Sequence, residues 1–142
     1  MIKFYHVSKT KIPVGSFIKR TRTPADWRKD LGYTNNYCCL AFDKTEALFW
    51  INVLSQSPKS PNRGSGTWYI HEVGVPKNET VELCLSGVFY NFGKGIEGTA
   101  EEIKSLAPVP EESEVIITTD NSRVLSVESI EHIAFQDRVE QA

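Results

Sequence analysis

Apolar positions fall into short runs separated by turn residues. The opening run IKFYHVS, residues 2–8, mixes β-branched and aromatic side chains and predicts a strand. Pro13 and Gly15 mark a turn in the KTKIPVGSFIKR segment that follows. Residues 20–36 are polar, with a short helix expected from Ala25-Asp26-Trp27 onward. YCCLAF, residues 37–42, is a continuous apolar run and predicts a buried strand. In TEALFWINVLSQ, residues 45–56, the apolar positions Ala47, Leu48, Trp50, Ile51 and Leu54 recur at helical spacing. Asp43 or Thr45 supplies the cap of that helix. Residues 57–66, SPKSPNRGSG, read as a loop by composition.

TWYIHEVGV (67–75) and TVELCL (80–85) predict strands, separated by Pro76-Lys77-Asn78. Residues 87–98, GVFYNFGKGIEG, are glycine-rich and aromatic. Thr99 stands as the N-cap of AEEIKSLA, with Glu102 three positions on, which is the capping-box spacing. Pro108 and Pro110 end that helix. EVIIT (114–118) and RVLSVESI (123–130) flank a TDNS turn and predict two closing strands. HIAFQ extends the last strand, and RVEQA is read as a frayed tail. No repeat or linker interrupts the series, so residues 1–142 are expected to form one strand-rich α+β domain with two or three modest helices.

A chain of 142 residues is long enough for one sizeable core. The formal net charge of −2 excludes the global basic field that nonspecific nucleic-acid binding uses. Lys19, Arg20, Arg22, Arg28 and Lys29 form a local basic cluster, read as a solvated, mobile loop. The cysteines, Cys38, Cys39 and Cys84, are odd in number and lack a CxxC spacing. That argues against a disulfide framework or zinc site and for a reducing compartment, with Cys38 and Cys39 as strand-core residues. The N-terminal residues run straight into a strand pattern, and no apolar run approaches membrane-spanning length. A cytoplasmic location with no membrane partner is therefore expected.

Candidate chemistry centres on Glu112 and Glu114. On a strand the two carboxylates share a face, where like charges repel. One reading is a charged strand edge that discourages aggregation. The other is catalytic: one carboxylate stabilises developing positive charge while the other orients a nucleophile. His6 has Ser8 two positions on, on the same strand face, and is either a satisfied structural histidine or a ligand contact. His71 and His132 are read as structural, and the three histidines share no metal-ligand spacing. GKG at residues 93–95 lacks the GxxxxGK[ST] pattern of a phosphate loop, and GxSxG, HExxH and GxGxxG are absent.

The order of these pieces resembles the ADP-ribosyltransferases of the histidine class. FYHVSKTKIPVGSFI is similar to their first strand and turn, and IPVGSFI to the turn of the small bacterial rifamycin-type enzymes. CCLAFDKTEALFW and GTWYIHEV resemble the blocks that follow there. ESEVIITTDNSRVLSVESI resembles the closing Glu-x-Glu hairpin of the bacterial toxin-type enzymes. The resemblance implies split antiparallel β-sheets around a cleft, with His6 facing Glu114 across it. It implies NAD as the substrate that is cleaved, with His6 on the adenosine ribose and Ser8 at the nicotinamide end. Glu114 is then the catalytic glutamate and Glu112 the acceptor-side residue. The chain departs from the pattern at Val7, where the family usually has glycine. It departs again at Leu40, where the family has the tyrosine that stacks on nicotinamide. Tyr37, Phe42, Phe49 and Trp50 are the aromatic substitutes on offer. The polar segment 19–36 and the glycine-rich segment 91–98 are expected to line the cleft. The acceptor (a protein, a nucleic acid or a small molecule) stays open, and a toxin role would bring an antitoxin or regulator as partner. The alternatives are an inactive module of the same fold, binding a nucleotide or partner protein, and an RNA 2′-phosphotransferase-like enzyme.

Overall fold

The structure is a computed structural model and describes residues 1–56, 63–85, 95–134 and 137. It is an α+β fold in which one antiparallel sheet of seven strands carries three helices among the described residues. In chain order these are β1 (Ile2–Ser8), α1 (Asp26–Asp30), β2 (Cys38–Ala41), α2 (Lys44–Gln56) and β3 (Gly66–Val75). There follow β4 (Thr80–Cys84), β5 (Ile96–Thr99), α3 (Ala100–Lys104), β6 (Glu114–Ile117) and β7 (Arg123–His132). Across the sheet the order is β5-β4-β6-β2-β1-β3-β7. Among the described residues, no helix is long and apolar enough to cross a membrane. The expectations for 57–62, for 87–94 with Gly93 and Lys94, for 135–136 and for the 138–142 tail fall outside the described residues.

The sheet is one, yet nearly divided. β1 pairs with β3 from Ile2↔Val75 to Ser8↔Tyr69, and β2 with β6 from Cys38↔Ile117 to Ala41↔Glu114. β1 and β2 share one register pair, Tyr5↔Ala41. Beyond it they part, leaving a seam between a β5-β4-β6-β2 half and a β1-β3-β7 half. The expected pair of split sheets is thus a single sheet with a seam. Farther along β2 the seam edge is taken by Arg22, which exchanges backbone hydrogen bonds with Tyr37 at 3.0 and 2.9 Å.

Alternation along the strands fills both faces. Phe4, Leu40, Val73, Leu83 and Val115 form one face and pack with Ile103 of α3. On the other, α2 lays Ala47, Trp50 and Ile51 over Ala41, Trp68 and Ile70. α3 starts with the anticipated box: Thr99 Oγ1 accepts from the Glu102 N–H and the Glu102 carboxylate accepts from the Thr99 N–H, both at 3.2 Å.

Three points add to or correct the expectations. First, β5 begins in the glycine-rich run, to which no element was assigned and where glycines 95 and 98 mask its pattern. A Cβ on Gly95 would sit 2.6 Å from Glu82 Cγ and from the Leu83 carbonyl, so only glycine lets its N–H reach Glu82 Oε2 at 2.8 Å. Second, β6 and β7 are not a hairpin. Both edges of β6 are occupied, by β4 and β2, while β7 pairs along β3 at the far edge. The chain crosses between them through residues 118–122. Third, the basic cluster is not a solvated loop. Arg20 fixes that crossing, donating to the Thr118 carbonyl at 2.7 Å and pairing with Asp120 at 3.0 Å. Arg22 edges the seam, and Arg28 is buried against Glu82 at 2.7 Å. Lys19, Arg22 and Lys29 are exposed as expected, although the Arg22 backbone is tied to Tyr37.

Candidate functional site

The seam gathers His6, Arg22, Tyr37, Cys38, Cys39 and Glu114. Ala41 and Tyr37 both pair across the seam edge of β2, so by strand alternation the backbone groups of Cys39 face the seam too. The His6 Nδ1 lies 3.9 Å from Cys38 Sγ, and the nearby Cys39 carbonyl favours its protonated form. Burial, and then the His71 ring 5.7 Å away, lower His6 to about 4, so it is neutral at pH 7. His71 is a satisfied structural histidine. Its Nδ1–H donates to the His6 carbonyl at 3.0 Å and its Nε2 accepts from the Ile12 N–H at 2.9 Å. His132 meets Ser55 Oγ at 2.9 Å.

Glu114 opens β6, an interior strand rather than an edge. Register aligns Tyr5, Ala41 and Glu114 in one row, so they share a face of the sheet. His6, one position from Tyr5, projects from the other face. The expected meeting of His6 and Glu114 across an open cleft is therefore not found. They approach the seam from opposite faces, and Arg22 acts electrostatically on both. Burial raises the Glu114 carboxyl above its ordinary range, while the Arg22 charge and a hydrogen bond from the Cys39 thiol oppose that rise. Burial, and next the Glu114 charge, push the Cys39 thiol well up, so it stays a protonated donor. Cys38 is raised to about 11 by burial and Cys84 to about 12, so none of the three is a ready thiolate nucleophile.

This arrangement carries a test. Arg22→Gln removes the cation that holds Glu114 down, so the Glu114 carboxyl is expected to titrate at higher pH than in the wild type. Carbon NMR of the labelled carboxyl reads the shift directly. A curve that stays where it was would remove Arg22 from the site.

The remaining sequence candidates are dispersed. Glu112 is not on the strand: it lies in the turn before β6 with φ of 64° and is exposed. The period-2 argument that placed it beside Glu114 therefore does not apply to it. Ser8 ends β1, where its Oγ accepts from the Thr10 N–H at 2.9 Å. Phe42 is 1% exposed and packs edge-on against Phe4 at 6.0 Å. Trp50 is buried under α2, against Phe49. Leu40 is in the core of the His6 face. Of the aromatics on offer, Tyr37 borders the seam, buried and beside Arg22. Arg22 and Cys39 were missed by the sequence reading. Arg22 sits in a polar run without periodicity, and Cys39 reads as an ordinary strand residue.

A separate pocket of about 120 Å³ lies over β4 and β6, lined by Arg28, Tyr33, Asn35, Glu82 and Glu97 among others. The two segments expected to line a cleft do meet there, through residues 32–35 and Glu97. Ligand pockets for larger molecules run to roughly 300–1,000 Å³, so this one is too small for a dinucleotide. Among the described residues, no cluster of three or more histidine, cysteine or acidic side chains has the geometry of a metal site. Comparisons with protein-family models, with curated proteins and with solved structures return no match.

Proposed function

We propose that the chain is an NAD-dependent mono-ADP-ribosyltransferase of the ADP-ribosyltransferase-like fold. It would break the bond between nicotinamide and ribose and pass ADP-ribose to an acceptor. The observation that carries the reading is Glu114, a half-buried carboxylate kept ionisable by Arg22 and the Cys39 thiol at the seam. Cleavage of the nicotinamide–ribose bond resembles glycoside cleavage, with an oxocarbenium-like transition state. A fixed negative charge in a partly dry site stabilises that developing positive charge far better than water does. The exposed Arg22 suits the pyrophosphate dianion of NAD. Ser8 Oγ, already accepting from Thr10, keeps its own O–H to donate. Neutral His6 sets Nδ1 against Cys38 Sγ at 3.9 Å, and its imidazole would accept from or donate to a ribose hydroxyl through the other nitrogen.

The second reading is a catalytically inactive module that binds a nucleotide or a partner protein. What favours it is the burial of Leu40 and Phe42 in the core, which leaves Tyr37 as the aromatic at the seam. One experiment separates the two. The protein is incubated with NAD and free nicotinamide is measured, with calorimetric titration of NAD alongside for wild type and His6→Ala. Nicotinamide release, with weaker binding in His6→Ala, is the expected result. Binding without release selects the module. No heat and no release at millimolar NAD removes both.

A further inference from the structure

Tyr5↔Ala41 is the register pair that joins the two halves of the sheet. Tyr5 turns its backbone groups toward β2, and by alternation Lys3 turns its carbonyl the same way. β2 has ended by then. Phe42 follows its last residue, and Asp43 caps α2, its Oδ1 accepting from the Glu46 N–H at 2.8 Å. The Lys3 carbonyl is met instead by Lys104, the last residue of α3. The half-buried Lys104 ammonium donates to that carbonyl at 2.7 Å and also to the carbonyl of Phe42. It stands 4.8 Å from the Phe4 ring centre and 4.7 Å from that of Phe42, and these two buried rings meet edge-on. Burial lowers the ammonium below the ordinary lysine range, as befits a cation held by carbonyls and ring faces in place of water. One side chain thus touches β1, the end of β2 and the aromatic pair between them.

This staple and the gap of the seam lie on opposite sides of the Tyr5↔Ala41 pair. Lys3 and Phe42 flank the pair on one side. His6 and residues 38–40 flank it on the other, where His6 Nδ1 stands 3.9 Å from Cys38 Sγ and Arg22 edges β2. A junction of one strand pair resists turning only weakly, so a tie on one side of it governs the opening on the other. α2 spans the junction on one face of the sheet, and Lys104 does so on the opposite face. We propose that Lys104 is a positioning residue for the seam: by tying β1 to the end of β2 it sets the separation between His6 on one half of the sheet and Glu114 with Arg22 on the other. The catalytic meaning of this rests on the ADP-ribosyl-transfer reading, and the hold on the seam does not.

The test uses Lys104→Met and Lys104→Arg in the full chain, with two readouts. Methionine keeps an apolar stem over the two rings and removes the charge and the donors. Amide hydrogen exchange at Tyr5 and Ala41 is expected to speed about tenfold in Lys104→Met as the junction loosens locally, while the amides between β4 and β6 keep wild-type rates. In nicotinamide release, kcat is expected to fall about tenfold with KM for NAD unchanged. NAD stays on the β1 half through His6 and Ser8 while Glu114 stands off with the other half, which costs the transition state and not the ground state. Lys104→Arg keeps the charge and the donors and is expected to restore both readouts. Unchanged exchange at Tyr5 and Ala41 in Lys104→Met overturns the proposal whatever the rate does. Equal speeding between β4 and β6 marks a general loss of stability and also overturns it. Local speeding with an unchanged kcat reduces Lys104 to a structural residue and overturns it as well. A wild type that releases no nicotinamide removes the transferase reading, and the exchange data then decide the hold on the seam alone.

Discussion

Glu114→Gln is expected to cut nicotinamide release on the order of a hundredfold or more, the usual cost of losing a preorganised electrostatic contact. Gln keeps the shape and most of the hydrogen bonding and removes the charge. The fold should survive, and the reason lies in the direction of the Glu114 shift. Burial raises the folded carboxyl above its ordinary range. The folded state therefore prefers the protonated form, and any stability this contributes is present below the unfolded pKa and is lost as pH rises through the folded value. At pH 7 the charge is a burden, so thermal unfolding of Glu114→Gln should match or exceed the wild type there. Glu112→Gln is expected to differ. Its exposed side chain lies outside the seam, so plain NAD hydrolysis should stay near wild type, and any loss should fall on transfer to the acceptor. Wild-type release from a folded Glu114→Gln would remove the enzyme reading and leave the binding module.

What the sequence disclosed was whatever its neighbours along the chain decide. β1, α2 and the Thr99–Glu102 box were legible because a period or a cap is written within a few residues. The hairpin was not, because strands that adjoin in sequence need not pair. β6 fits between β4 and β2, and the choice is made by side chains from residues 38–41 and 82–84. The Glu112–Glu114 pair misled for a related reason. Alternation holds only on a strand, and one left-handed residue at Glu112 cancels it. The seam itself comes from a missing pairing, and no local pattern encodes an absence. His6 and Glu114 lie on the strands expected. Their faces are not the expected ones, since facing depends on the one register pair between β1 and β2.

The strongest departure from composition-based reading is Arg28, and it carries the largest expected stability effect. A cation in a polar run ordinarily reads as solvated. Here it is 1% exposed and its Nη2 donates to Glu82 Oε1 at 2.7 Å. The guanidinium also lies 4.4 Å from the Tyr33 ring centre and 5.4 Å from that of Tyr37. It therefore ties α1 and the segment leading to β2 down onto β4, next to the residues that edge the seam. Arg28→Ala would leave the Glu82 charge buried without its guanidinium partner, with the Gly95 N–H on its other oxygen, and would empty the space between two rings. Breaking a buried pair from one side costs about 3–5 kcal/mol, far above the roughly 0–1 kcal/mol of a surface pair. Urea unfolding monitored by tryptophan fluorescence reads the difference. Removing the stranded charge as well, in Arg28→Met with Glu82→Gln, is expected to recover much of the loss, because the penalty lies in the unpaired ion more than in the missing attraction. A single-variant loss of about 1 kcal/mol or less would mean that Arg28 behaves as a surface cation after all. A double variant no better than Arg28→Ala would instead assign the cost to the cation's contacts with Tyr33 and Tyr37.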